Sequence, residues 1–120
     1  FASIFSLFSC NKENDSEISY VSISAEEAKA LMDSEKNYVI IDARTQEEYD
    51  EGHIEGAILM PEYEVSSRAE KELKDKDQLI LVYCRSGRRS KEASEKLVKL
   101  GYKNIVEFGG ILDYKGEIEK

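Results

Sequence analysis

Leu79-Ile80-Leu81-Val82-Tyr83-Cys84-Arg85-Ser86-Gly87-Arg88-Arg89-Ser90 is the stretch on which the reading of this chain turns. Leu79–Tyr83 is the most apolar run between turn signals, and it reads as a strand buried on both faces at the centre of a sheet. Ser90–Leu100 reads as a helix, with Ala93, Leu97, Val98 and Leu100 inward, lysines outward and Gly101 in the C′ position. Cys84 therefore sits where a buried strand ends, in a tight loop that leads into a helix.

That arrangement favours a thiolate. The helix N-terminus offers unpaired N–H groups and a partial positive charge. Successive loop amides can form an anion-binding nest, and Gly87 lets the backbone curl. Ser90 is placed to cap the helix or to accept a loop hydrogen bond. The bland alternative is a buried cysteine packed at a strand end. The flanking Arg, Ser and Gly residues are unsuited to an apolar environment and argue against it.

Outward from this segment the pattern is regular. Tyr20–Ile23, Tyr38–Asp42, Ala57–Met60 and Asn104–Phe108 read as strands, the third ended by Pro61. Ser24-Ala25-Glu26-Glu27 and Thr45-Gln46-Glu47-Glu48 are capping boxes, opening helices to about Asp33 and to near Gly52. Residues 66–74 carry helical charge spacing, and a final helix is expected from about Ile111. Strands alternating with helices predict an α/β fold, a mostly parallel sheet flanked by helices on both faces. In such sheets ligands bind beyond the carboxyl ends of the strands, where Cys84 is placed.

The 120 residues suffice for one domain, and 41% apolar content allows one compact core. A net charge of −8 argues against a nucleic-acid partner. Against that balance, Arg85, Arg88, Arg89 and Lys91 cluster after Cys84 and suggest a small anionic ligand; the bland reading is a solvated basic patch. Two cysteines and one histidine argue against a disulfide framework and against a zinc site, and no cofactor is expected.

The opening Phe1-Ala2-Ser3-Ile4-Phe5-Ser6-Leu7-Phe8-Ser9-Cys10 is uncharged and mostly apolar or small. It is too short to span a bilayer and fits the tail of a signal-peptide core. Leu7-Phe8-Ser9-Cys10 resembles the bacterial lipobox, although Phe8 is larger than the residue usual there. On this reading the chain is a truncated precursor, Cys10 is the lipid attachment site, and residues 11–18 are a polar tether. Residues 1–18 then form signal remnant and linker, and residues 19–120 the folded domain, held at a bacterial membrane outside the cytoplasm. The alternatives are a buried N-terminal strand or a disordered apolar stretch, and a cytoplasmic protein.

Tyr83-Cys84-Arg85-Ser86-Gly87-Arg88-Arg89-Ser90 resembles the active-site loop of the rhodanese family. Ile41-Asp42-Ala43-Arg44, Gly52-His53-Ile54-Glu55-Gly56-Ala57, Gly101-Tyr102, Val106 and Gly109-Gly110 resemble further family patterns, in order, over residues 20–120. Tyr114 stands where many members have Trp. The resemblance implies a rhodanese-like fold and a sulfurtransferase. Cys84 would take sulfur from a small anionic donor such as thiosulfate, become a persulfide, and pass the sulfur to a thiol or cyanide. Arg85, Ser86, Gly87, Arg88, Arg89 and Ser90 would form the donor-binding loop. Arg85 and Arg88 suit the donor's sulfonate oxygens; Arg89 does the same or faces solvent. Asp42 and Arg44 are expected to support the site, Asp42 by bonding loop backbone and Arg44 by pairing with a carboxylate. His53 is expected to bond backbone near the strand that follows it.

Two rival readings remain. One is a phosphatase or arsenate reductase, which needs an Arg six positions after the Cys; here that position is Ser90. The other is a binding module without catalysis, a role in which the cysteine is commonly missing.

Overall fold

The computed structural model of the chain describes residues 20–120. The lipobox, Cys10 and the tether expected at 11–18 lie outside the described residues, as does any pairing of Cys10 with Cys84.

The element order is β1 (Val21–Ser22), α1 (Ala25–Ser34), β2 (Tyr38–Asp42), α2 (Gln46–Glu51), β3 (His53–Ile54) and β4 (Ile58–Leu59). After a 3₁₀ turn at Glu62–Glu64 come α3 (Val65–Glu72), β5 (Leu79–Cys84), α4 (Arg88–Lys99) and β6 (Asn104–Gly110). A second 3₁₀ turn, Ile111–Asp113, leads to β7 (Ile118–Glu119). Five strands form one sheet in the order β1-β6-β5-β2-β4, and every neighbouring pair is parallel. The α/β architecture expected from the alternation is the one observed, with β5 in the middle.

Strand periodicity divides β5 between two cores. Ile80, Val82 and Cys84 face the layer containing Val65, Ala69, Ala93 and Leu97 of α3 and α4. Leu79, Leu81 and Tyr83 face the layer containing Ala25, Ala28, Leu31 and Met32 of α1. All six residues of β5 are buried. An apolar side chain so enclosed contributes roughly 1.5–3 kcal/mol of hydrophobic stabilisation, which is why this run holds the centre.

Both capping boxes form. The Glu27 amide donates to Ser24 Oγ at 3.0 Å, and the Ser24 amide donates to Glu27 Oε1 at 2.9 Å. Thr45 and Glu48 repeat the exchange at the start of α2.

Three expectations need correction. The expected final helix is absent: Ile111–Asp113 makes a single 3₁₀ turn, and Ile118–Glu119 then pairs antiparallel with His53–Ile54. Lys115-Gly116-Glu117 breaks the apolar periodicity a helix would need there. Helix α4 begins at Arg88 rather than Ser90, with Gly87 as its N-cap residue and no side-chain cap. Ser90 is thus inside the first turn and does not cap it.

Candidate functional site

The chain turns sharply after β5. Gly87 adopts φ +127°, a conformation that L side chains rarely take. The turn brings the Gly87 amide back over the strand end, where it donates to Cys84 Sγ at 2.9 Å. Cys84 itself is 1% exposed. Gly110, at the end of β6, passes so close beneath the loop that a Cβ there would collide with the Arg85 carbonyl. Gly110 is therefore required by close backbone approach, a constraint separate from the φ demand at Gly87.

The expected site residues divide by environment. Arg85, Ser86 and Arg88 are exposed on the rim of the loop, and Gly87 and Ser90 are buried beneath it. Arg88 lies along its helix and pairs with Glu92 at 3.2 Å, with three quarters of its side chain exposed. Arg89 does not face open solvent. Its two terminal nitrogens reach Glu48 Oε1 and Oε2 at 2.8 and 3.0 Å, tying α4 to the first turn of α2. That guanidinium, with the Thr45 capping bonds, holds the Glu48 carboxyl down at about 2.

Asp42, at the end of β2, and Arg44, two residues beyond it, are brought together beside β5. Asp42 Oδ1 accepts from the Arg44 amide and from Arg44 Nε, both at 2.9 Å. Asp42 Oδ2 accepts from the second Arg44 nitrogen at 2.8 Å and from the Tyr83 hydroxyl at 2.7 Å. Arg44 also donates to the Gly52 carbonyl, and Tyr83 accepts from the Ile54 amide at 3.0 Å. Burial first, and Asp42 second, push the Tyr83 hydroxyl far above its usual range. Tyr83 points to the opposite sheet face from Cys84, so this cluster braces β2, β5 and the 52–54 segment and does not reach the sulfur.

His53 stacks on Tyr49 with ring centroids 3.7 Å apart. Its Nδ1 lies 2.9 Å from the Tyr49 carbonyl of the preceding helix, and its Nε2 lies 3.3 Å from Glu119. It bonds backbone as expected, but on the helix before it, not near the strand after it. Tyr114 packs 6.3 Å from Phe108, in keeping with an aromatic at that place.

Glu107 is the residue that the sequence reading passed over. It is 1% exposed in the middle of β6. Ser90 Oγ lies 2.7 Å from Glu107 Oε2 and 3.6 Å from Cys84 Sγ, so a single hydroxyl separates a buried carboxylate from the sulfur. A lone Glu within the apolar run Ile105–Phe108 was the available signal, because a buried charge needs partners.

A family model described as the rhodanese-like domain matches residues 24–117. A putative sulfur carrier protein of Bacillus subtilis is 36% identical over 110 residues, covering 91% of this chain and 57% of that protein. A thiosulfate sulfurtransferase of Escherichia coli K12 is 40% identical over 73 residues, covering 61% and 70%. A tRNA uridine(34) hydroxylase of Staphylococcus epidermidis is 39% identical over 106 residues, covering 84% of this chain and 33% of that protein. Among solved structures, a rhodanese with anions from E. coli superposes with a TM-score of 0.66 at 36% identity, covering 69% of this chain and 98% of that one. A rhodanese-like domain from Anabaena gives 0.75 at 29% identity, covering 82% and 77%.

Proposed function

The chain belongs to the rhodanese-like domain family, and from that membership we propose that it is a sulfurtransferase working through a persulfide on Cys84. The observation that carries the reading is the Gly87 amide aimed at Cys84 Sγ, 2.9 Å away, at the carboxyl end of the central strand. Thiolate sulfur attacks the outer sulfur of a donor such as thiosulfate. The new S–S bond forms as the donor's own S–S bond breaks, and the electron pair leaves with sulfite. A thiophilic acceptor, a thiol or cyanide, then takes the outer sulfur, and the pair returns to Cys84. This is covalent catalysis in two steps. Loop amides stabilise charge on sulfur as an oxyanion hole does on oxygen. Arg85 and Arg88, on the exposed rim, supply the charge that draws in the donor's sulfonate oxygens.

The phosphatase reading is disfavoured by position and by pairing. Ser90 stands where that chemistry needs an arginine, and the arginine one place earlier is committed to Glu48. Thiosulfate:cyanide turnover separates an enzyme from a binding module. Sulfite release with thiocyanate formation supports the proposal, and its absence from fresh reduced protein defeats it.

The lipid anchor at Cys10 is a further part of this proposal. It rests on the apolar and small run that ends at Cys10 and on the polar stretch that follows. It would place the domain outside the cytoplasm at a membrane.

A further inference from the structure

Glu107 is a charged side chain in the interior whose carboxylate meets only neutral donors among the described residues. Oε1 accepts from Ser22 Oγ at 2.7 Å; Oε2 accepts from the Gly109 amide and from Ser90 Oγ, each at 2.7 Å. Ser90 Oγ also accepts from the Cys84 thiol at 3.6 Å. The result is a continuous line, Sγ–H to Ser90 Oγ–H to Glu107, sealed from solvent at every member.

The Ser90 hydroxyl has one proton and several acceptors in reach: Glu107 Oε2 at 2.7 Å, the Gly87 carbonyl at 2.9 Å, the Gly109 carbonyl at 3.4 Å and, once it is ionised, the Cys84 sulfur at 3.6 Å. When Cys84 is a thiol, Ser90 donates to Glu107 and its lone pair faces the S–H. When Cys84 is a thiolate, the sulfur keeps the Gly87 amide and can draw the Ser90 proton as well; a proton on Glu107 then keeps the line hydrogen-bonded from end to end. Losing the thiol proton to solvent would instead leave two anions in one buried space, which is costly at low dielectric. Passing the proton inward leaves the net charge of that space unchanged.

We propose that Glu107 is a positioning residue that, acting through Ser90, holds the Cys84 proton during the life of the thiolate and returns it when the sulfur is released. This rests on the sulfurtransferase reading for its purpose, though not for its geometry. In the forward step the S–H bond breaks and its proton moves to Ser90 Oγ, as the original Ser90 proton moves to Glu107 Oε2. The thiolate then attacks the donor. When the acceptor removes the outer sulfur, the S–S pair stays on Cys84, and the proton returns along the same line.

The charged and titratable groups facing this line are few. Arg89 is near enough for Cys84 to favour its charged form, but its guanidinium is held by Glu48. Tyr20, ahead of β1, feels both Glu107 and Glu95 of α4, and burial is the larger cause of its raised value. Asp42, Arg44 and Tyr83 form their own closed cluster across the sheet.

Alkylation of Cys84 by iodoacetamide tests the proposal, because it reads thiolate directly and needs no sulfur transfer. Cys10→Ala protein serves as the background, so that one thiol is read. Over pH 5 to 9 this parent should keep reactivity on the acid side. Glu107→Gln keeps the shape but cannot take the proton. It should lose about tenfold at pH 6 and converge on the parent above pH 9. Ser90→Ala, which removes one oxygen and cuts the line, should show the same loss, and undiminished alkylation of that variant overturns the relay if Glu107→Gln does not fold. Equal or faster alkylation of the variants at pH 6 overturns the proposal, since Glu107 would then be only a brace or an opposing charge. The two readings fail separately. A chain with the acid-side loss but no turnover loses only the sulfurtransferase reading, and a chain with turnover but unchanged profiles loses only the relay.

Discussion

Arg89 grips Glu48 with both terminal nitrogens, across 41 residues of sequence, and so fixes the first turn of α4 against the first turn of α2. The pair is a bidentate fork, with side chains only 24% and 22% exposed, so it holds geometry better than a surface contact does.

A pH dependence follows. The Glu48 carboxyl is lowered from 4.5 to about 2 in the folded chain. Its contribution is therefore present above the unfolded value and is lost as pH falls from about 4.5 towards 2. Glu48→Gln should cost about 1–2 kcal/mol at pH 7, reduced from the full shift by partial solvent screening. The same variant should flatten the acid limb of stability in that window. Urea unfolding followed by circular dichroism at pH 7, 4 and 3 checks both; parallel curves for variant and parent would remove the pair from the account.

The rim arginines should act on binding more than on chemistry. Arg85→Ala and Arg88→Ala should each raise KM for thiosulfate about two- to fivefold, the scale of an exposed charge contact, with kcat nearly unchanged. Added salt should weaken thiosulfate binding in the parent. Steady-state kinetics across ionic strength is the check, and variants matching the parent throughout would reassign both residues to solvent.

The two glycines after Phe108 should respond differently. Gly110→Ala drives a Cβ into the Arg85 carbonyl. It should cost about 1–3 kcal/mol of overpacking strain. By displacing the loop it should also lower kcat/KM about 100-fold. Gly109 has open space around its missing Cβ and φ +77°. Gly109→Ala should carry only the left-handed backbone cost of about 1–2 kcal/mol and keep most activity. Thermal melts with turnover assays separate the cases, and equal effects at both positions would contradict the close-approach argument.

The proposed anchor makes its own prediction. Deleting residues 1–18 should leave a soluble, folded and active domain. A precursor carrying a complete signal peptide upstream of Cys10 should reach the membrane fraction with label from radioactive palmitate, and Cys10→Ala should abolish the label. Unlabelled protein in the cytosol would remove the lipoprotein reading and leave Cys84 untouched.

What could be read in advance was what short-range pattern encodes. The apolar run of β5, the two capping boxes and the glycine-bearing loop after Cys84 each signal within a few residues, and each formed. β1 and β4 are equally short but sit within longer apolar runs, whereas β3 and β7 escaped because each holds a single isoleucine among polar residues and glycine. The start of α4 was misplaced by two residues because Gly87 offers no side-chain cap, so Ser90 drew the assignment. Glu107 was missed because its partners Ser22 and Ser90 arrive from β1 and α4, 85 and 17 residues away, and only the folded sheet assembles them. Arg89 found Glu48 in the same way.

The most direct test of the central claim is the intact mass of fresh, reduced Cys10→Ala protein before and after incubation with thiosulfate. A Cys84 persulfide predicts a gain of about 32 Da, one sulfur atom held covalently. Cyanide or dithiothreitol should remove it, and Cys84→Ser should never acquire it. An unchanged mass, or the same gain in Cys84→Ser, would contradict the account.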